Sequence, residues 1–185
     1  EFMRLRSYDI GSFLCCEIDT EEDWKTACEK VKTAENRTVY ISFSTDVIHS
    51  GHIAILRKAA CLGKVIVGVL SDTAVASYKR FPLIPFEERK ELLKTVKGVH
   101  QVVEQKDLSY KENLLMLRPD YVVHGDDWRQ GIQKTIRDEV ISVLKQYGGK
   151  LIEYPYAKDR VYEEIEKHMR AELSIPEFRR GRLKK

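Results

Sequence analysis

Apolar residues recur along this chain in two rhythms that take turns. Trp24, Ala27, Cys28 and Val31 return every three or four positions, which predicts a helix with one apolar face. Thr20 suits its N-cap, and Glu21, Glu22 and Asp23 fill the first turn, where a helix favours negative charge. Val39 to Phe43, β-branched and aromatic, predicts a strand. From His52 to Leu62 the helical rhythm returns, with Ile55, Leu56, Ala59 and Ala60 on the buried side and Gly63 as the stop. Val65 to Leu70 is an unbroken apolar run, the mark of a strand covered on both faces.

The unit then repeats. Pro85 suits the first turn of a helix running to about Val96. Val99 to Val103 predicts a strand, Lys111 to Leu117 a helix and Tyr121 to His124 a strand. Ile132 to Tyr147 predicts a helix ended by Gly148 and Gly149, Leu151-Ile152 a last strand, and Val161 to Leu173 a last helix. Strands alternating with helices predict an α/β fold, a five-stranded parallel sheet with helices on both faces. Such sheets bind ligands beyond the carboxyl ends of their strands, where the strand order reverses.

At 185 residues, 43% apolar and 33% charged, the chain has the composition of an ordinary globular domain. No apolar run approaches the roughly 20 residues that span a bilayer, and no secretory segment opens the chain. Glu1-Phe2 ahead of Met3 reads as a vector remnant. Cys15, Cys16, Cys28 and Cys61 lack C-x-x-C spacing, so neither a zinc site nor a redox pair is indicated, and thiols of a reducing cytoplasm are expected. The net charge is +3, and the surplus sits in Arg179 to Lys185 without the aromatic interleaving of a nucleic-acid arm. Three segments are expected: an N-terminal extension over 1–37, the main domain over 38–173, and a basic tail over 174–185.

The chemistry concentrates after two strands. His49-Ser50-Gly51-His52 follows the first core strand at a helix start, with Ser44, Thr45 and Asp46 just before it. Backbone N–H groups at a helix N-terminus attract an anion, glycine allows close approach, and imidazoles donate to phosphate oxygens. Histidines at a helix start otherwise serve as caps. Lys79 and Arg80 stand in a loop before Pro82, and Arg89 follows in a helix, placed either to reach a substrate or to cover surface. Gly125, Asp126, Asp127 and Trp128 follow the fourth strand, on the same sheet edge. His124 is either a neighbouring contact or a satisfied strand histidine. His100 and His168 carry no motif and are expected at the surface.

From Thr38 to about Glu153 the chain resembles the cytidylyltransferases of the H-x-G-H nucleotidyltransferase superfamily. The matching stretches are Ser44 to Asp46, His49 to His52, Val67 to Asp72, Glu88 to Lys90 and His124 to Trp128. Ala76 to Arg80 and Tyr121 to Trp128 look most similar to cytidylyltransferase domains fused to phosphoenolpyruvate mutases in phosphonate biosynthesis. Glycerol-3-phosphate and ethanolamine-phosphate cytidylyltransferases are more distant in this resemblance.

The resemblance implies a Rossmann-like nucleotidyltransferase fold, with CMP transferred from CTP to a small phosphonate of the 2-aminoethyl or 2-hydroxyethyl type. It implies a Mg²⁺-bound triphosphate, no protein metal site, a homodimer and a larger fusion protein. His49, His52 and Lys79 become the catalytic candidates. Ser44, Thr45, Gly51, Gly125, Asp126, Asp127 and Trp128 become nucleotide ligands, while Asp46, Arg80, Arg89 and Lys111 become substrate ligands.

Tyr154 to Glu164, after the last strand, lacks the glycine and hydroxyl run that the family carries there, which leaves Lys158 and Arg160 as the triphosphate's cations. The same departure leaves open a nucleotide-binding domain that has lost turnover. Glu17 to Trp24 is similar to the tail of a sugar-nucleotide-type nucleotidyltransferase.

Overall fold

The computed structural model describes residues 19–44, 46–131 and 133–155, together with 164, 165, 167, 168 and 171. Five strands form one parallel sheet: β1 Thr38–Phe43, β2 Lys64–Leu70, β3 Val99–Gln105, β4 Tyr121–Gly125 and β5 Lys150–Tyr154. Their spatial order is β3-β2-β1-β4-β5, every pair parallel. The chain therefore builds outward from β1 to β3, returns, and continues from β4 on the other side. That reversal puts the switch point between β1 and β4, where the loops leaving the two strands diverge and open a crevice.

The helices are α1 Glu21–Asn36, α2 Ser50–Ala60, α3 Asp72–Tyr78, α4 Phe86–Lys94, α5 Lys111–Leu117 and α6 Gln133–Lys145. Successive strand residues point to opposite faces, and both faces are covered. Val39, Ile41, Val65, Val67 and Val123 pack with Leu56 and Ala59 of α2 and Leu93 of α4. Tyr40, Ile66 and Val122 pack on the other face with Leu114 of α5 and Val140, Val143 and Leu144 of α6. Each valine, leucine and isoleucine among them contributes about 1.5–3 kcal/mol on burial. This is why the strands read as apolar runs and not as alternations.

The predicted elements match closely, with shifts at their ends, and α3 is an added helix between β2 and α4 that the periodicity does not single out. The second helix starts at Ser50 because His49 supplies its cap, and Ala60 at its C-terminal end is exposed. Gly63 has a reason beyond stopping it, since a Cβ there would stand 2.5 Å from the Arg37 carbonyl oxygen. Gly148 closes α6 at φ +84°, a conformation that favours glycine.

The first helix departs from expectation. It forms with a Thr20–Asp23 capping box, yet buries none of its residues, and Trp24 stays 58% exposed. It joins the sheet at the amino ends of the strands, where Lys64 N–H donates to Arg37 at 2.8 Å, so its apolar face lies off the core. Most of the predicted 161–173 helix, and Cys15 and Cys16, lie outside the described residues; Cys28 and Cys61 are free thiols. No helix among the described residues is long and apolar enough to cross a membrane.

Candidate active site

A cavity of about 320 Å³ opens at the carboxyl ends of β1 and β4. Its floor is the β1–α2 turn. His49 takes extended backbone angles and caps α2, its Nδ1 accepting from Gly51 N–H at 3.1 Å. Three residues on, His52 returns the contact, its Nδ1 accepting from His49 N–H at 3.4 Å. A neutral imidazole that accepts at Nδ1 carries its proton on Nε2. Both rings, 4.0 Å apart between centroids, are thereby fixed as Nε2–H donors.

Burial, with the neighbouring His49 and Lys79 adding to it, pushes His52 down to about 3. Above that pH it stays neutral. His52 therefore offers a hydrogen-bond donor without charge, and the cations come from elsewhere.

Lys79 is one of them. It ends α3, a helix capped by Ser71 Oγ bonding Ala74 N–H, and it lines the cavity beside His52. The loop after it is stitched from below. Asp46 and Arg80 form a buried pair, Nη1 to Oδ2 at 2.6 Å, with side chains 2% and 4% exposed, and Asp46 Oδ1 also accepts from Ile84 N–H at 3.0 Å. Arg89, equally buried, donates to Ile84 O at 3.0 Å and to Asp72 Oδ1 at 2.6 Å. These three side chains were expected on the substrate, but none lines the cavity. A charge removed from water needs a partner, and each found one in the scaffold that carries Lys79. Lys111 opens α5 as an exposed residue and also stands away from the cavity.

On the β4 side, Gly125, Asp127 and Trp128 line the cavity, and Asp126 does not. His124 stacks on Trp128 with centroids 3.8 Å apart and planes 7° from parallel. Its Nδ1 lies 2.8 Å from the Gly125 carbonyl, which can only accept, so this ring holds its proton on Nδ1. Burial lowers its pKa.

The stack is anchored from behind by Glu153, the cross-strand partner of His124. Its carboxylate accepts from Trp128 Nε1 at 2.8 Å, Arg129 Nη2 at 3.0 Å and Arg137 at 2.9 and 3.0 Å. These donors, Arg137 foremost, hold Glu153 down at about 2. Nothing local in the sequence marks Glu153. Only the parallel register brings it behind position 124.

The third wall joins Ser44, expected on the nucleotide, to residues that sequence reasoning missed. Ser44 Oγ accepts from the Tyr78 hydroxyl at 2.5 Å, and Leu70, Gln105, Leu108 and Tyr110 complete an apolar, aromatic lobe. Gln105 is held there by Tyr40, whose hydroxyl donates to Oε1 at 2.7 Å and accepts from Asn113 at 2.9 Å. The signal available was a tyrosine and a glutamine at the ends of elements that converge only in three dimensions.

Thr45, Lys158 and Arg160 lie outside the described residues. Among the described residues no cluster of three His, Cys, Asp or Glu side chains could hold a metal, and Asp127 is the carboxylate on the cavity wall. Asp127 would be the carboxylate available to a Mg²⁺ carried on phosphates.

Comparison with known proteins places this geometry. The cytidylyltransferase-like family model matches residues 44–168. The ethanolamine-phosphate cytidylyltransferase of Arabidopsis thaliana is 35% identical over 95 residues, 48% of this chain and 23% of that protein. The bifunctional protein HldE of Hahella chejuensis is 28% identical over 137 residues, 71% and 27% of the two chains. The FAD synthase of Methanopyrus kandleri is 31% identical over 86 residues, 44% and 57%. The chain thus spans about a quarter of the first two proteins. The lipopolysaccharide core biosynthesis protein of Thermoplasma volcanium shares the fold, with a TM-score of 0.55 at 20% identity over 66% of this chain and 98% of that one. With the helix-start histidine pair at the β1–β4 switch point inside the matched segment, the chain belongs to the cytidylyltransferase-like family of nucleotidyltransferases.

Proposed function

We propose that this domain transfers CMP from CTP to a small phosphonate of the 2-aminoethyl or 2-hydroxyethyl type and releases pyrophosphate. The observation that carries the reading is the paired Nε2–H donors of His49 and His52 beside Lys79. A phosphonate oxygen attacks the α-phosphorus, and the bond from that phosphorus to the bridging oxygen of the β-phosphate breaks. The electron pair leaves with pyrophosphate, and an ionised phosphonate has no proton to give up. Such a transfer needs in-line positioning and donors for developing charge, not a covalent intermediate. His49 and His52 would donate to the non-bridging and departing oxygens, and Lys79 would neutralise charge on the incoming side. Mg²⁺ on the triphosphate adds charge neutralisation.

The choice of acceptor rests on the likeness of Ala76 to Arg80 and Tyr121 to Trp128 to phosphonate-pathway domains. Incubation with CTP, Mg²⁺ and a panel of phosphonates, scored for pyrophosphate, tests it. Release with 2-aminoethyl- or 2-hydroxyethylphosphonate is expected, and no release with any acceptor would sink the reading. A second acceptor, ethanolamine phosphate, is favoured by the 35% identity to the Arabidopsis enzyme and belongs in the same panel.

A further inference from the structure

One wall of the cavity belongs to α2, through Gly51, Ala54, Ile55 and Lys58, positions that a helix places on one face. Lys58 is the last of them and the only charged one. Its ammonium lies 4.7 Å from the centre of the Tyr154 ring, at the carboxyl end of β5. Tyr154 and Pro155 line the same wall. Lys79, by contrast, follows β2 through α3. β2 and β5 stand on opposite sides of the β1–β4 pair, so Lys79 enters the cavity from the β2 side and Lys58 beside Tyr154 at the β5 side.

An in-line displacement at phosphorus puts the incoming oxygen and the leaving group on opposite sides of the transferring group. Both ends are anionic, and His52 between them is neutral. Lys79 shares its end with the Ser44–Tyr78 wall, so the end without that wall is left to Lys58. Resting on a neutral ring, the Lys58 ammonium has a hold that a polyphosphate outcompetes, and its flexible stem lets it move.

We propose that Lys58 binds the β- or γ-phosphate of the nucleoside triphosphate and stays on the pyrophosphate as it leaves. The proposal rests on the nucleotidyltransferase reading above, and adds a cation at the sheet end where the sequence carries no glycine and hydroxyl run.

Calorimetry on the full chain tests it with three probes: CTP, inorganic tripolyphosphate and CMP. Lys58→Met should weaken CTP and tripolyphosphate by about tenfold or more and leave CMP unchanged, because CMP lacks both outer phosphates. Lys58→Arg should restore most of the loss, and thermal unfolding should not move. Should Lys58→Met fail to fold, Lys58→Gln is measured in its place. CTP affinity equal to wild type, or equal losses for CTP and CMP, overturns the assignment of Lys58 alone. A wild-type chain that binds neither CTP nor tripolyphosphate overturns the assignment and the nucleotidyltransferase reading together.

Discussion

His52 Nδ1 accepts the backbone N–H of His49 while His49 Nδ1 accepts from Gly51, so the two rings that face the cavity also build the helix start beneath it. A capping box ordinarily pairs a hydroxyl with a carboxylate. Here both partners are imidazoles, and capping through Nδ1 leaves each with its proton on Nε2. Structure and chemistry are thus set by the same two contacts.

Replacing either ring should separate those roles. His49→Asn keeps a side chain able to cap α2 but removes the outer donor. Steady-state pyrophosphate release should fall about 10²–10³-fold, the scale for one lost transition-state donor, while far-UV circular dichroism is unchanged. His52→Gln should do the same. Activity within a few-fold of wild type in both would remove the histidines from catalysis.

His52 also predicts a pH dependence of stability. Its folded pKa of about 3 lies below the unfolded value of 6.5, so between those limits the unfolded chain binds the extra proton. Stability is full above pH 6.5 and declines as the pH falls toward 3, by about 2 kcal/mol at pH 5 from this group alone. Urea unfolding at pH 7 and pH 5 should show a smaller loss in His52→Gln than in wild type. Equal losses would mean that the ring is not held neutral.

Asp46 and Lys79 should fail in different ways. Asp46→Asn leaves Arg80 buried without its carboxylate and should cost about 3–5 kcal/mol in denaturant unfolding. Lys79 lines the cavity and is not the partner of Asp46, so Lys79→Met should lower kcat far more than it lowers stability in denaturant unfolding. An Asp46→Asn variant of wild-type stability that has lost only acceptor affinity would return Asp46 to the substrate.

The carboxylate behind the tryptophan makes a prediction of its own. Glu153→Gln weakens four charge-assisted contacts and should destabilise by about 1–3 kcal/mol. Since the folded pKa is depressed to about 2, the contribution of Glu153 is full above about pH 4.5 and declines as the pH falls from there toward 2. Trp128 fluorescence should shift in the variant, and Arg137→Met should reproduce the shift. Unchanged emission in both would mean that the indole is held by packing alone.

The candidate site was legible where its residues are close in sequence. His49, Gly51 and His52 share one helix start, and Gly125, Asp127 and Trp128 share one turn. Basic residues were legible only in part. Lys79 was expected at the reacting phosphates and lines the cavity, whereas Arg80 and Arg89, expected on the substrate, are tied to Asp46 and Asp72 in the scaffold. Lys58 stood in plain helical register with Gly51, but a lysine on a helix usually marks a solvated face, and the ring it rests on belongs to a strand far along the chain.

By itself the sequence determined what depends on neighbours a few residues away: the order of strands and helices, the doubly covered strands, the caps, and the histidine pair at a helix start. Backbone geometry acts over one turn or one pleat, so periodicity and turn chemistry record it. Only the tertiary structure decided which charges face each other. The Asp46–Arg80 pair spans 34 positions, and Glu153 sits behind Trp128 across 25. Such pairings follow from the strand order and from the need of every buried charge for a partner. The same sheet that brings β1 and β4 together at the cavity leaves the apolar face of α1 off the core, a choice its periodicity does not record.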